Sequence, residues 1–264
     1  MLVMTSTVLR LAGLLRMRVV PGHAGAVSFI GSEISLAMSD HNRGRLLFRD
    51  LQLMKLQFFA EHLRQIEAYD PKLLSAFRRE FRRRLARDQY VGLRFEVATA
   101  ARLIRRGVPF TRGERPDFYL TFNGARLGIE CTTATITDPA RQDPLRKISE
   151  VVWNKRDKPY ATPSTAIFVD ISDVIQRASL VGASVGQEPL EAALRDGLSG
   201  SAFGAAIGFF YAATFHADRS RHRIFVQPVV AISESCDRNL AAYVKTLFPL
   251  SQADDSPQWH PRSG

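Results

Sequence analysis

Hydrophobic and polar positions alternate most clearly over Pro116–Thr133, "PDFYLTFNGARLGIECTT". Asn123-Gly124 at its centre is the strongest short-range hairpin signal, since both residues tolerate the positive φ of a type I′ turn. A two-residue turn sets the pairing: Phe122 with Ala125, Leu120 with Leu127, Phe118 with Ile129, and Asp117 with Glu130. Strand side chains alternate between faces. Phe118, Leu120, Phe122, Leu127, Ile129 and Cys131 therefore share an apolar face, and Asp117, Tyr119, Thr121, Glu130 and Thr132 share the other. Elsewhere the apolar spacing is helical. It predicts an amphipathic stretch near Thr7–Val19, a turn-rich middle around Pro21–Gly31, and a helix near Leu46–Ala68. Asp70-Pro71 opens a further helix, with Asp as N-cap and Pro at the first helical position. Another helix spans about Tyr90–Arg106, and one runs from Pro144 to Asp157. Apolar runs at Ser164–Ser172, Ala206–Ala213 and Arg223–Ile232 read as strands, with helices near Pro189–Leu198 and Asn239–Leu247. The order of elements predicts an α/β fold in which a mixed sheet carries helices. Its expected divisions are an N-terminal helical arm (1–69), a main domain (70–250) and a disordered tail (251–264).

Two carboxylates directly opposite each other repel. A divalent cation between Asp117 and Glu130 would offset that repulsion. Two charged side chains also fall inside apolar helix stripes. Glu96 shares its wheel face with Leu93, Thr99, Ala100 and Leu103, and such a buried carboxylate needs a partner or a metal. Lys155 lies among Leu145, Ile148, Val151 and Val152, where a snorkelling lysine is the plainer alternative; Lys147 and Lys158 flank it. Together Glu96, Asp117, Glu130 and Lys155 make an acid–acid–acid–base set. Carboxylate oxygens suit Mg²⁺ or Mn²⁺, which activate water and stabilise charge at a scissile phosphate. Cys131 points to the apolar side and reads as a core residue. No histidine pair has metal-ligand spacing, and the glycines of 197–208 form no phosphate loop.

Charge narrows the partner. The formal net charge is +10 with pI about 10.1, and the chain holds 30 Arg against 6 Lys. Such a balance favours polyanions. Twelve arginines fall between positions 78 and 115. Six of them, Arg78, Arg79, Arg82, Arg83, Arg84 and Arg87, cluster in the helix over Ser75–Asp88 and are candidates for gripping a nucleic-acid backbone. Two cysteines without framework spacing fit a reducing, cytoplasmic setting. Arginines break the apolar N-terminus and argue against a secretory signal, although an acid-free, Arg-rich start is also typical of organellar transit peptides. The uncharged run Gly197–Ala217 is too polar at its centre to span a bilayer, so neither membrane association nor a transmembrane segment is expected.

The runs "GLRFEVATAARLIRRGVPF" and "RPDFYLTFNGARLGIECTT" resemble the PD-(D/E)XK nuclease superfamily, the restriction-endonuclease-like fold. There a helical Glu precedes a Pro-Asp strand, and a strand ending Glu-x-Lys follows. Glu96, Asp117 and Glu130 match the three acids, and the likeness covers about Tyr90–Ser172. It implies a metal-dependent nuclease acting on DNA, with Asp117 and Glu130 holding Mg²⁺ or Mn²⁺ beside the Cys131 carbonyl and Glu96 assisting through a water or second ion. The motif lysine is replaced by Thr132. Some members supply it from the next helix, which points to Lys155, with Lys158 and Lys147 as alternatives. Without that lysine the same fold would bind nucleic acid and not cut it. The arm, 1–69, is a candidate homodimer contact.

Overall fold

A computed structural model describes residues 2–17, 26–83, 87–138, 141–183, 185–215, 221–248 and 260–261. Its contacts gather into two compact units that divide between Gly107 and Val108.

The first unit is helical: α1 (Leu2–Leu15), α2 (Ala26–Asn42), α3 (Leu46–Tyr69), α4 (Pro71–Arg83) and α5 (Arg87–Arg105). The long α3 is its centre, and the other four helices all pack on it. Phe59 of α3 meets Phe81 of α4 at 5.4 Å between ring centroids, and Tyr90 of α5 stacks on Phe29 of α2 at 5.2 Å. The Asp70 carboxylate accepts from the Lys72 backbone N–H at 2.8 Å, so Asp70 starts α4 as its position before Pro71 predicts. On α4, Leu74, Phe77 and Phe81 are buried while Arg79, Arg82 and Arg83 are exposed, the i, i+3, i+7 stripe of a surface helix. Part of the expected turn-rich stretch, residues 26–31, is instead the start of α2; residues 18–25 lie outside the described residues. Ile30 and Ala37, two turns apart on one face of this helix, are both buried, so tertiary packing overrides the weak local propensity at its start.

Six strands form the mixed sheet of the second unit: β1 (Phe110–Arg112), β2 (Phe118–Phe122), β3 (Ala125–Thr133), β4 (Thr165–Asp170), β5 (Ala205–Phe215) and β6 (Arg221–Ile232), adjacent in sequence order. β1–β2, β2–β3 and β5–β6 are antiparallel; β3–β4 and β4–β5 are parallel. The hairpin register is the one the Asn-Gly turn dictates, with Leu120 opposite Leu127 and Phe118 opposite Ile129. Asn123 and Gly124 both have positive φ, 49° and 77°. The parallel pairs need crossovers: α6 (Pro144–Trp153) joins β3 to β4, and α7 (Ser172–Leu180) with α8 (Gln187–Leu198) joins β4 to β5. These three helices cover one face, where Ile148, Val152, Val174, Leu190 and Leu194 pack with Ile167, Val169 and Ala206. The closing helix α9 (Arg238–Leu247) serves the other face, with Tyr243 on Phe122 at 5.5 Å. There Phe168, Phe209 and Phe248 form a triangle of rings 5.2–5.8 Å apart.

Four boundaries differ from the sequence pattern. β1 is three residues long, too short for alternation to reveal it. The run expected as a strand to Ser172 turns into α7 at that residue. The Arg-rich helix is two pieces, α4 ending at Arg83 and α5 beginning at Arg87, with 84–86 outside the described residues. The helix expected to reach Asp157 stops at Trp153 and continues as successive turns. The tail expected to be disordered, 251–264, lies outside the described residues apart from a two-residue strand, β7 (His260–Pro261). Among the described residues no helix is long and apolar enough to cross a membrane.

Two predictions follow from this packing. Phe168→Ala empties the centre of the aromatic triangle and should cost about 3–5 kcal/mol, read as a lowered midpoint in urea unfolding. In the helical unit, burial above all, and then the Glu33 carboxylate, hold the Tyr90 phenol well above its ordinary value, against the opposing pull of Arg94. The folded state therefore keeps this proton while the unfolded chain loses it near pH ~10. Stability should be insensitive to Tyr90 below that pH and fall as pH rises above it. Tyr90→Phe should flatten this alkaline limb in denaturation curves taken between neutral and strongly alkaline pH.

Candidate active site on the sheet

The polar face of the β2–β3 hairpin carries the site. Asp117 immediately precedes β2, whose first paired rung is Phe118–Ile129. Its Oδ2 accepts a hydrogen bond from the Cys131 backbone N–H at 2.7 Å. That contact fixes the Asp117 carboxylate beside the backbone that carries Glu130. Because N–H and C=O of one residue leave a strand on the same edge, the Cys131 carbonyl faces this side too. Gly128, two residues before Glu130, lets Thr165 and Pro116 close over the strand: a Cβ there would stand 2.9 Å from Thr165 Oγ1 and 3.0 Å from Pro116 Cγ.

Glu130 is a buried carboxylate, 5% exposed, on a strand paired on both sides. A charge in that position must be met by donors. Two arrive at one oxygen: Lys155 Nζ and the Tyr160 hydroxyl each donate to Glu130 Oε1 at 2.8 Å. Both come from the turns that follow α6. There Lys155 N–H donates to Val152 O, Lys158 N–H to Lys155 O, and Ala161 N–H to Lys158 O, at 3.0, 3.2 and 2.9 Å. Lys155 is therefore not a helix residue, as its wheel position suggests, but the residue that the end of α6 releases toward the sheet. Its stem is partly covered and its ammonium reaches a carboxylate.

Tyr160 was not singled out by the sequence. An isolated Tyr after Pro159 has no periodicity to mark it, and only the tertiary fold brings its hydroxyl to Glu130. Its ring packs on Phe203 at 6.2 Å. Burial first, and then the hydrogen bond and charge of Glu130, push its phenol far above the ordinary tyrosine range; Arg115 works against this and Asp117 adds to it. Asp117, Glu130, Lys155, Tyr160 and Arg115 are thus one electrostatic neighbourhood. On the same face, toward the hairpin end, the exposed Arg126 guanidinium lies 3.8 Å from the centre of the Tyr119 ring.

The other sequence candidates are placed as follows. Glu96 is buried on α5 of the helical unit, with the equally buried Thr99 one turn on. Lys147 is half-buried on α6 and Lys158 is exposed, and among the described residues Lys155 is the lysine that bonds to Glu130. Arg78 is buried, with its Nε donating to Leu14 O and Nη2 to Glu67 at 3.1 Å, so its guanidinium is committed to helix packing. Arg79, Arg82 and Arg83 are exposed on α4; Arg84 lies outside the described residues, and Arg87 opens α5. Among the described residues no group of three or more His, Cys, Asp or Glu side chains gathers as an ion site. What the sheet assembles is a carboxylate pair with a lysine and a tyrosine.

The pair Lys155–Glu130 should be measurable by itself. Lys155→Met should lower stability by about 1–3 kcal/mol, the range for a hydrogen bond to a charged group, because the nearly buried Glu130 keeps only Tyr160. Lys158→Met, at an exposed position, should stay within roughly 0.5 kcal/mol of wild type. Urea denaturation of both variants, with Glu130→Gln completing a double-mutant cycle, checks this; equal effects of the two lysines would refute it.

No protein-family model matches the chain, and no curated protein and no solved structure matches it.

Proposed function

We propose that the chain is a metal-dependent nuclease that hydrolyses phosphodiester bonds in DNA, built on a restriction-endonuclease-like sheet. The observation that carries this is the hairpin's polar side: the Asp117 carboxylate bonded to the Cys131 N–H, next in the chain to Glu130, with the Lys155 ammonium on Glu130. The resemblance in sequence supports it, since Pro116-Asp117 leads into β2, Glu130 lies on β3, and a lysine arrives from the turn after α6 while Thr132 stands at the motif position.

The donor set fits a hard divalent cation such as Mg²⁺ or Mn²⁺. It consists of two carboxylates and the Cys131 carbonyl, all oxygen, and so few protein ligands suit an ion that keeps several waters and accepts substrate phosphate. Asp117 and Glu130 would hold it. When bound, the ion supplies a Lewis acid for the scissile phosphate and lowers the pKa of a bound water. The chain's own residues do the rest. The Cys131 N–H holds the Asp117 carboxylate in place, and Lys155 stands beside Glu130 as a positive charge that can orient a nucleophilic water and offset charge developing on the phosphate. The exposed Arg79, Arg82 and Arg83, and Arg126 on the sheet, are suited to phosphate contacts of the salt-sensitive, sequence-independent kind. Glu96, on the helical unit, remains the third acid of the sequence match.

A second reading is favoured by the replacement of the motif lysine with Thr132 and by the closed Lys155–Glu130 pair: a non-catalytic module that binds nucleic acid on the same fold. Supercoiled plasmid separates the two. Wild type with Mg²⁺ or Mn²⁺ should nick or linearise it, and Asp117→Ala and Lys155→Ala should each lower the rate by about 10²–10⁴. Metal-independent binding with no cleavage by wild type would reject the nuclease in favour of the binding module.

A further inference from the structure

We propose that Tyr160 is a positioning residue for the carboxylate that would hold the metal: its hydroxyl, acting with Lys155, pins Glu130 Oε1 and leaves Oε2 as the oxygen that would serve a cation. This rests on the nuclease reading above and assigns a role that the motif does not contain.

The terminal torsion of a glutamate is broad and two-fold, so nothing intrinsic decides which oxygen faces which neighbour. Here both donors, Lys155 Nζ and Tyr160 Oη, select the same oxygen, each at 2.8 Å. A lysine alone could not enforce this choice. Its four-carbon stem is flexible, and the side chain is 29% exposed. Tyr160 is stiffer: it has two side-chain torsions, and its ring rests on the fully buried Phe203. The turn bonds from Val152 to Ala161 tie both donors to one short segment, so the position of the hydroxyl and that of the ammonium are set together. Near-complete burial of Glu130 adds to the constraint, because no abundant water competes for Oε1. Outer partners of this type orient ligating carboxylates, and their removal weakens metal affinity by about 10–100-fold.

The test uses the full chain without nucleic acid. Mn²⁺ is titrated into wild type, Tyr160→Phe and Asp117→Asn, and free Mn²⁺ is followed by its paramagnetic resonance signal. Tyr160→Phe keeps the ring against Phe203 and loses only the hydroxyl. Its Mn²⁺ affinity should fall about 10–100-fold, a change that a hydrogen bond serving stability alone would not produce. Wild-type affinity in Tyr160→Phe, together with loss of binding in Asp117→Asn, would overturn the role of Tyr160 and spare the nuclease reading, even if the urea midpoint dropped. Binding by wild type that Asp117→Asn leaves intact, or no binding at all, would overturn both.

Discussion

A carboxylate inside a sheet is the constraint around which the second unit is arranged. Glu130 is hydrogen-bonded into strands on both sides and almost closed to solvent. Leaving its charge unmet there would cost several kcal/mol. The chain meets it with two donors from a single segment, and that requirement explains several otherwise separate features. Helix α6 ends at Trp153 and gives way to turns, and Lys155 reaches Glu130 from the first of them. Tyr160 is set by the same turns. Residue 128 is glycine, where any side chain would meet Thr165 and Pro116 just below the acid.

The two faces of the hairpin divide labour. Phe118, Leu120, Leu127 and Ile129 are fully or nearly buried, and helix α9 packs against these strands. That face anchors β2 and β3 and makes their register costly to change, since a one-residue slip would exchange the faces. The polar side can then hold two like charges near one another, each on its own partners. Repulsion between Asp117 and Glu130 is moderated by separate partners, the Cys131 N–H for one and Lys155 with Tyr160 for the other.

The arginines sort by burial in a way their clustering conceals. Arg78 is structural, bonded to Leu14 O and Glu67, and Arg94 is paired with Glu33. Arg79, Arg82 and Arg83 occupy the opposite side of α4 from Leu74, Phe77 and Phe81. A run of positive charge is thus partly an internal brace and partly a free surface, and only the second part is open to a polyanion.

Local chemistry determined much of this protein from sequence alone. The Asn-Gly turn, the period-two alternation and the Asp-Pro helix start are short-range effects, and the register of β2 with β3 and the start of α4 follow from them. The pairing of Phe118 with Ile129, next to the two acids, was legible for the same reason, because two-residue hairpins leave no freedom of pairing. The helical stripe around Lys155 is only partly real: the apolar neighbours belong to α6, but Lys155 itself lies past its end and pairs with Glu130 from a turn. Tertiary structure alone decided where α6 stops, that α2 begins inside a turn-rich stretch, that β1 joins the sheet as three residues, and that Tyr160 shares an oxygen with Lys155. Each of these depends on contacts between residues far apart in the chain, whose energies no local pattern encodes.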